Sequence, residues 1–195
     1  MLRRAVFLDR DGTVNVDVGY PRDFSQITIY PGSFKAVRRI NEAGFLAIVV
    51  TNQSGIGRGF FSEADLAVLH ERLAAALAAG GARLDAIYAC PHYEYAVDPR
   101  YRGDCDCRKP KPGLALRAAE AFGIALDASY MIGDKAEDVE FGLGIKALPV
   151  LVRTGFGDKG TVSQLAARGL APAHVADGLL EAVDWILERE RSARR

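Results

Sequence analysis

A chain of 195 residues with 49% hydrophobic residues is long enough to bury a full core and reads most simply as one domain, residues 1–195. Its 25 Lys and Arg balance 25 Asp and Glu, so no overall basic field points to nucleic acid as a partner, and local basic clusters have to be judged one by one. The start, MLRRAVFLDRDG, holds an apolar run too short for a signal-peptide core or a membrane span; the expectation is a soluble, cytoplasmic protein with no membrane partner and, by default, a monomer.

In chain order, AVFLD (5–9) is a continuous apolar run, as expected of a strand covered on both faces. Ser33 opens a helical segment that stops before Gly44, and FLAIVV (45–50) is the second strand. Ser62 and Asp65 have the spacing of a capping box for a long Ala/Leu-rich helix ending at Gly80 and Gly81. LDAIYAC (84–90) is the third strand, and Pro112 and Gly113 precede a helix closed by Gly123. SYMIGD (129–134), a helix after it, and ALPVLV (147–152) follow, then a last helix begun by Asp177 or Gly178 and a charged tail, ERERSARR, that reads as a solvated helix end. The βαβα order implies an α/β fold with a doubly wound parallel sheet.

In such sheets ligands collect beyond the carboxyl ends of the strands. There the chain places Asp9, Arg10, Asp11, Gly12 and Thr13 after the first strand, Thr51, Asn52 and Gln53 after the second, and Gly133 and Asp134 after the fourth. Asp9 and Asp11, two apart, send both carboxylates to one side of extended chain, where one can attack phosphorus or bind Mg²⁺ and the other can carry a proton. The Asp11–Gly12 pair taken alone is equally a turn. TNQSGIGRG offers backbone N–H groups for phosphate oxygens. GDKAED sets Asp134 and Asp138 four apart on one face of the helix that follows, where hard carboxylate oxygens suit Mg²⁺ or simply cap a helix. Lys109, in CRKPKPG, is a cation just before a helix.

Together DRDGT, a strand-end Thr51, Lys109 before a helix, and GD with a second acid resemble the haloacid dehalogenase superfamily of phosphotransferases over about residues 5–152. The resemblance implies that Asp9 is the nucleophile forming an aspartyl-phosphate and Asp11 the general acid and base. It further implies that Thr51 and Lys109 bind the transferring phosphoryl group, and that Asp134 holds Mg²⁺ with Asp9 and the Asp11 carbonyl.

Every cysteine and one of the three histidines fall in ACPHYEYAVDPRYRGDCDCRKPKPG. Three cysteines cannot all pair within the chain, so metal binding or ordinary burial are the readings left. Cys90, His92, Cys105 and Cys107 make three thiolates and an imidazole in two close pairs, a tetrahedral Zn²⁺ set with no position for water and therefore structural. The CxH and CxC spacings are less specific than CxxC. This loop, with FLDRDGTVN, TNQSGIGRG, CRKPKPG and GDKAED, resembles the D-glycero-D-manno-heptose 1,7-bisphosphate phosphatases, whose near relatives, the histidinol-phosphate phosphatases, share the zinc loop. A clamp there would fix an irregular segment and position Arg108 and Lys109. His70 and His174 have no comparable partners in sequence and receive no role.

Neither 14–50 nor 60–108 leaves room for a separate cap domain, so substrate choice falls to short loops. Arg58, Arg108, Lys111 and Lys135 exceed what one phosphate needs, and a bisphosphorylated sugar fits that surplus. The resemblance places Asp17, Val18, Gly19 and Tyr20 against the sugar, adds Asn52, Gln53, Ser54 and Arg58 from the Gly-rich segment, and matches Arg108 and Lys135 to substrate recognition. Removal of the 7-phosphate is the implied reaction. Histidinol phosphate remains an alternative substrate, since Asp17, Asp23 and Glu94 suit its amine, and a silent zinc-stabilised binding module is the non-enzymatic alternative.

Overall fold

The computed structural model describes residues 2–193. Six strands, β1 (Ala5–Leu8), β2 (Leu46–Asn52), β3 (Ala86–Cys90), β4 (Tyr130–Gly133), β5 (Leu148–Val152) and β6 (His174–Ala176), form one parallel sheet in the order β3-β2-β1-β4-β5-β6. Successive side chains of a strand point to opposite faces, so Val6 and Leu8 enter one core with α1 (Pro31–Glu42), α2 (Glu63–Ala79) and α6 (Leu179–Ser192). Ala5 and Phe7 enter the other, beneath α3 (Gly113–Phe122) and α4 (Ala136–Gly144). A short α5 (Val162–Ala167) packs Leu165 against Val139 and Leu151. With both faces covered, the continuous apolar runs of the strands are accounted for.

The chain leaves β1 toward β2 on one side, and β4 returns to pair with β1 on the other. That reversal opens a crevice beyond the carboxyl ends of β1, β2 and β4, the place where open α/β sheets bind ligands. Among the described residues, the β1–β2 connection holds one 3-10 turn and α1, and the β2–β4 connection holds α2, β3, the Cys/His loop and α3. No separate cap domain stands over the crevice, and no described helix is long and apolar enough to cross a membrane.

Several boundaries differ from the sequence reading for identifiable reasons. Helix α1 begins at Pro31, with Tyr30 preceding it, because the proline ring already holds the helical φ; Ser33 lies inside the first turn, where its buried hydroxyl donates to the Val14 carbonyl at 2.7 Å. Strand β2 runs on through Thr51 and Asn52, which pair with Ala89 and Cys90 of β3. Asp134 sits just before α4, and only Asp138 lies inside it. The Cys/His loop contains a 3-10 turn, Pro99–Tyr101, started by the Asp98 side chain accepting from the Arg100 N–H. The Ser62–Asp65 capping box and the left-handed Gly123 cap stand as expected, and Gly178 is the residue that begins α6. Of the charged tail, residues 194 and 195 lie outside the described residues.

Candidate active site

A cleft of about 360 Å³ lies at the carboxyl ends of β1, β2 and β4, a size suited to a small polar ligand. At its floor the buried Lys109 ammonium donates to Asp9 Oδ1 at 2.8 Å and to Asp138 Oδ1 at 2.6 Å. Burial disfavours the Lys109 ammonium, but the charges of Asp138 and Asp9 more than offset that and hold its pKa above the usual lysine value. Lys109 reaches the floor because Asn52 clamps its main chain: the Lys109 N–H donates to Asn52 Oδ1 at 3.0 Å, and Asn52 Nδ2 donates to the Lys109 carbonyl at 3.2 Å.

Asp9, Asp134 and Asp138 bring one carboxylate oxygen each within 4.8 Å of one another. Burial first, then the charge of Asp9, pushes Asp134 up to about 8, and burial and Asp9 raise Asp138 to about 6 against the opposing pull of Lys109. One Asp134 oxygen, Oδ2, accepts from the Phe156 N–H at 2.8 Å, while Oδ1 is buried with no hydrogen-bond partner. An orphaned, buried carboxylate oxygen among converging acids is the donor set a hard divalent cation such as Mg²⁺ takes. Gly12 and Gly155 make the room: both have positive φ, and a Cβ on either would lie within 2.3 Å of Asp134 Oδ2.

Asp11 lies beside this cluster, and its carboxylate accepts four hydrogen bonds. Arg10 donates through Nε to Oδ1 at 3.0 Å and through Nη2 to Oδ2 at 2.7 Å. Asn15 Nδ2 and Gln53 Nε2 complete the set at 3.0 and 2.9 Å. Burial raises the Asp11 pKa, but the charge and hydrogen bonds of Arg10 and its neighbours outweigh it, leaving the carboxyl below its ordinary value. Gln53 Nε2 also donates to Thr51 Oγ1 at 2.9 Å, which ties the two strand-end motifs together.

Of the residues expected to touch substrate, Asp17, Gly19, Tyr20, Asn52, Gln53, Ser54, Arg108 and Lys135 line the cleft with Asp9, Asp11, Thr51 and Lys109. Lys135 Nζ donates to Asp17 Oδ2 at 3.3 Å. Val18 is exposed and outside the lining, and Arg58, also outside it, stacks its guanidinium 3.6 Å from the Tyr93 ring centroid and 5.7 Å from that of Tyr20. Lys111 pairs with Asp104 at the surface. Sequence reasoning missed Glu137 and Phe156, which also line the cleft, offered Asp138 only as a partner of Asp134 for Mg²⁺ or a helix cap, and gave Arg10 and Asn15 no site role. The spacing in GDKAED carried a signal for Asp138; Phe156 follows β5 and carried none.

Cys90, His92, Cys105 and Cys107 converge with one ligand atom each inside the same 4.8 Å limit. Cys90 Sγ lies 3.8 Å from Cys105 Sγ, the edge of a tetrahedron whose metal–sulfur bonds are about 2.3 Å; Cys107 Sγ is closer to Cys90, at 2.7 Å. Burial raises the Cys90 thiol pKa, so a cation is what makes a buried thiolate set favourable. The loop is stitched to the Gly-rich segment by Gln53 N–H to the Cys90 carbonyl, Gly57 N–H to Pro91 and Val97 N–H to Gly57.

The sheet order with this carboxylate–lysine cluster at its carboxyl edge defines a haloacid dehalogenase-like hydrolase, and residues 106–182 match the HAD-hydrolase-like family model. Over 155 residues, 79% of this chain and 84% of the relative, it is 46% identical to the D-glycero-beta-D-manno-heptose-1,7-bisphosphate 7-phosphatase of Pasteurella multocida. The same-named enzyme of Escherichia coli K12 is 45% identical over 77% of this chain and 80% of its own. A crystal structure of the D,D-heptose 1,7-bisphosphate phosphatase of B. bronchiseptica, complexed with magnesium and phosphate, superposes with a TM-score of 0.83 at 33% identity, covering 95% of this chain and 99% of that one. The chain belongs to the D-glycero-β-D-manno-heptose-1,7-bisphosphate 7-phosphatase family.

Removing Lys109 would leave buried carboxylates with no buried cation among them. Lys109→Met is expected to lower the unfolding free energy by about 3–5 kcal/mol, measured by urea denaturation with a chelator present, and added Mg²⁺ is expected to restore part of the loss.

Proposed function

We propose that this chain is a Mg²⁺-dependent phosphatase that removes the 7-phosphate of D-glycero-β-D-manno-heptose 1,7-bisphosphate, leaving heptose 1-phosphate for nucleotide-heptose and lipopolysaccharide precursor synthesis. The observation that carries it is Lys109 bridging Asp9 and Asp138 beside Thr51 and Asp11, in a chain whose relatives bear the name of that activity. Residues 1–195 act as one phosphatase domain. The free cysteines suit a reducing cytoplasm, and a monomer is the default assembly.

In the first half-reaction Asp9 attacks phosphorus, forming an aspartyl O–P bond as the P–O bond to the sugar C7 oxygen breaks. Asp11, whose surroundings on their own favour the carboxylate, has to take up a proton as the negatively charged ester binds, and gives it to that departing oxygen, which otherwise leaves as a strongly basic alkoxide. Thr51 and Lys109 hold the transferring phosphoryl oxygens, and Lys109 offsets their charge. In the second half Asp11 takes a proton from the attacking water, the new P–O bond forms, and the aspartyl P–O bond breaks to regenerate Asp9 and release phosphate. Mg²⁺ would be held by Asp9, Asp134 and the Asp11 carbonyl and would neutralise charge on the phosphoryl oxygens. Arg108 and Lys135, with Asp17, Gly19 and Tyr20, meet the sugar and its second phosphate.

A structural Zn²⁺ would be held by Cys90, His92, Cys105 and Cys107 and would brace the stretch that delivers Arg108 and Lys109. Arg108 Nη1 donates to the His92 carbonyl at 3.2 Å, inside that brace.

The test is phosphate release with Mg²⁺ from both anomers of the heptose bisphosphate, histidinol phosphate and fructose 1,6-bisphosphate. The β-heptose anomer is expected to exceed the non-heptose substrates in kcat/KM by at least ~10²-fold, histidinol phosphate because it lacks the second phosphate and fructose 1,6-bisphosphate because its sugar cannot place both phosphates and its hydroxyls in the same contacts. Equal rates, or preference for histidinol phosphate, would overturn the substrate. Asp9→Asn is expected to cut turnover by more than ~10³-fold with the fold intact by circular dichroism. Cys105→Ser is expected to lower bound zinc, read by atomic absorption, and the melting temperature first, with activity falling as the fold loosens.

A further inference from the structure

Arg10 is the largest fully buried side chain, with no solvent exposure, yet it carries a full positive charge. A charge in that setting has to be paired and hydrogen-bonded, and its partners here are few and specific. Nε and Nη2 form a two-pronged fork on the Asp11 carboxylate, and Nη1 lies 3.0 Å from Nε2 of His70. His70 sits near the middle of α2, 60 residues along the chain from Arg10.

Guanidinium has no lone pair to accept with, so the Arg10–His70 contact requires Nε2 of a neutral imidazole to be the acceptor. Burial and the charge of Arg10 lower the His70 pKa to about 3, consistent with that neutral form. The three side chains thus form a line from α2 through the β1 turn to the cleft: His70 Nε2, Arg10 guanidinium, Asp11 carboxylate. Arg10 itself does not line the cleft, and neither does His70.

We propose that Arg10 and His70 are positioning residues for the Asp11 carboxylate, with His70 fixing the plane of the guanidinium and the guanidinium fixing the carboxylate. This rests on the reading of Asp11 as the proton carrier. A planar fork transmits orientation in a way a point charge does not. Rotation of the guanidinium about its own stem would tilt both donors away from Asp11, and the His70 contact is what opposes that rotation. Asn15 and Gln53 reach the same carboxylate, but each with one donor and from one side.

The experiment separates positioning from simple structural support through the leaving group. Phosphorylation of Asp9 by p-nitrophenyl phosphate needs no proton from Asp11, because nitrophenolate leaves as the anion, whereas cleavage of an alkyl phosphate does. Hydrolysis of the aspartyl-phosphate needs Asp11 as base with either substrate. His70→Leu is therefore expected to lower kcat on the heptose bisphosphate about 10- to 100-fold with KM changed less than about threefold. With p-nitrophenyl phosphate, first-turnover nitrophenol release is expected to stay within about twofold of the unaltered chain while the steady-state rate falls, giving a burst. His70→Gln, whose side-chain oxygen can accept from Arg10 Nη1, is expected to restore most of the loss.

Equal losses in first-turnover and steady-state rates, a rise in KM without a fall in kcat, or a Gln variant no better than Leu would overturn the proposal. Should His70→Leu fail to fold, Arg10→Lys, which keeps the buried charge and removes the fork, carries the same comparison, with the same burst expected and its absence counting against the pair. Asp11→Asn serves as the reference: loss of alkyl-ester turnover there with an unaffected His70→Leu overturns the positioning pair alone, while full turnover in Asp11→Asn overturns the proton-carrier reading and the pair together.

Discussion

The bridge from Lys109 to Asp9 and Asp138 is the interaction on which the rest of the site depends. It draws together the end of β1, the segment before α3 and the first turn of α4, with Asp9 100 residues and Asp138 29 residues from Lys109 in sequence. Acids this deeply buried would neutralise one another by taking up protons if no cation stood among them. With one lysine between two of them, and an unsatisfied Asp134 oxygen alongside, the three carboxylates, when ionised, leave the cluster two positive charges short of balance. That shortfall makes the site receptive to a divalent cation.

Holding a lysine at such a place is a backbone problem before it is an electrostatic one. Asn52, the last residue of β2, accepts from and donates to the Lys109 main chain, so the sheet itself sets the height of the ammonium. The Cys/His loop controls the approach from the other side: Cys107 is two residues before Lys109, and Arg108 between them bonds back to the His92 carbonyl. An irregular stretch between β3 and α3, with one 3-10 turn of its own, would gain from a metal held by Cys90, His92, Cys105 and Cys107 what a helix gains from its backbone ladder.

Much of this was legible in the sequence because parallel sheets put function at strand ends. The apolar runs located β1 to β5, and reading the carboxyl ends of the first, second and fourth singled out Asp9, Thr51 and Asp134 without any structure. The Cys and His spacing located the second cluster in the same way. What stayed hidden depends on contact through space. Lys109 and Asp138 are both visible in their motifs, but nothing in either motif says that they pair. Arg10 looks like the variable residue between two aspartates, and His70 like one more polar position on an Ala/Leu-rich helix; only the crossing of α2 over the β1 turn makes them neighbours. Arg58 and Lys111 failed in the opposite direction, as basic residues near the right motifs whose side chains are taken by Tyr93 and Asp104 instead.

The cleft's own charges bear on which ligand it suits. Five acids line it, Asp9, Asp11, Asp17, Glu137 and Asp138, against three cations, Arg108, Lys109 and Lys135. Left to itself such a surface repels a phosphate ester, and a divalent cation beside Asp134 brings the floor near neutrality. The distribution then matters more than the sum. The acids crowd the floor, whereas Arg108 stands beside the Cys/His loop, with its guanidinium bonded there only to a carbonyl, and Lys135 is drawn to Asp17 by a contact of 3.3 Å. A carbonyl leaves the Arg108 charge uncompensated, and the long, part-buried Lys135–Asp17 contact is one that a phosphate oxygen can replace. A ligand with an anionic group at each end satisfies both the metal-charged floor and these cations at once, whereas one with a single phosphate and a cationic amine would set its amine against them. The geometry that makes the floor reactive and the cations that remain available above it therefore select together for a bisphosphorylated sugar.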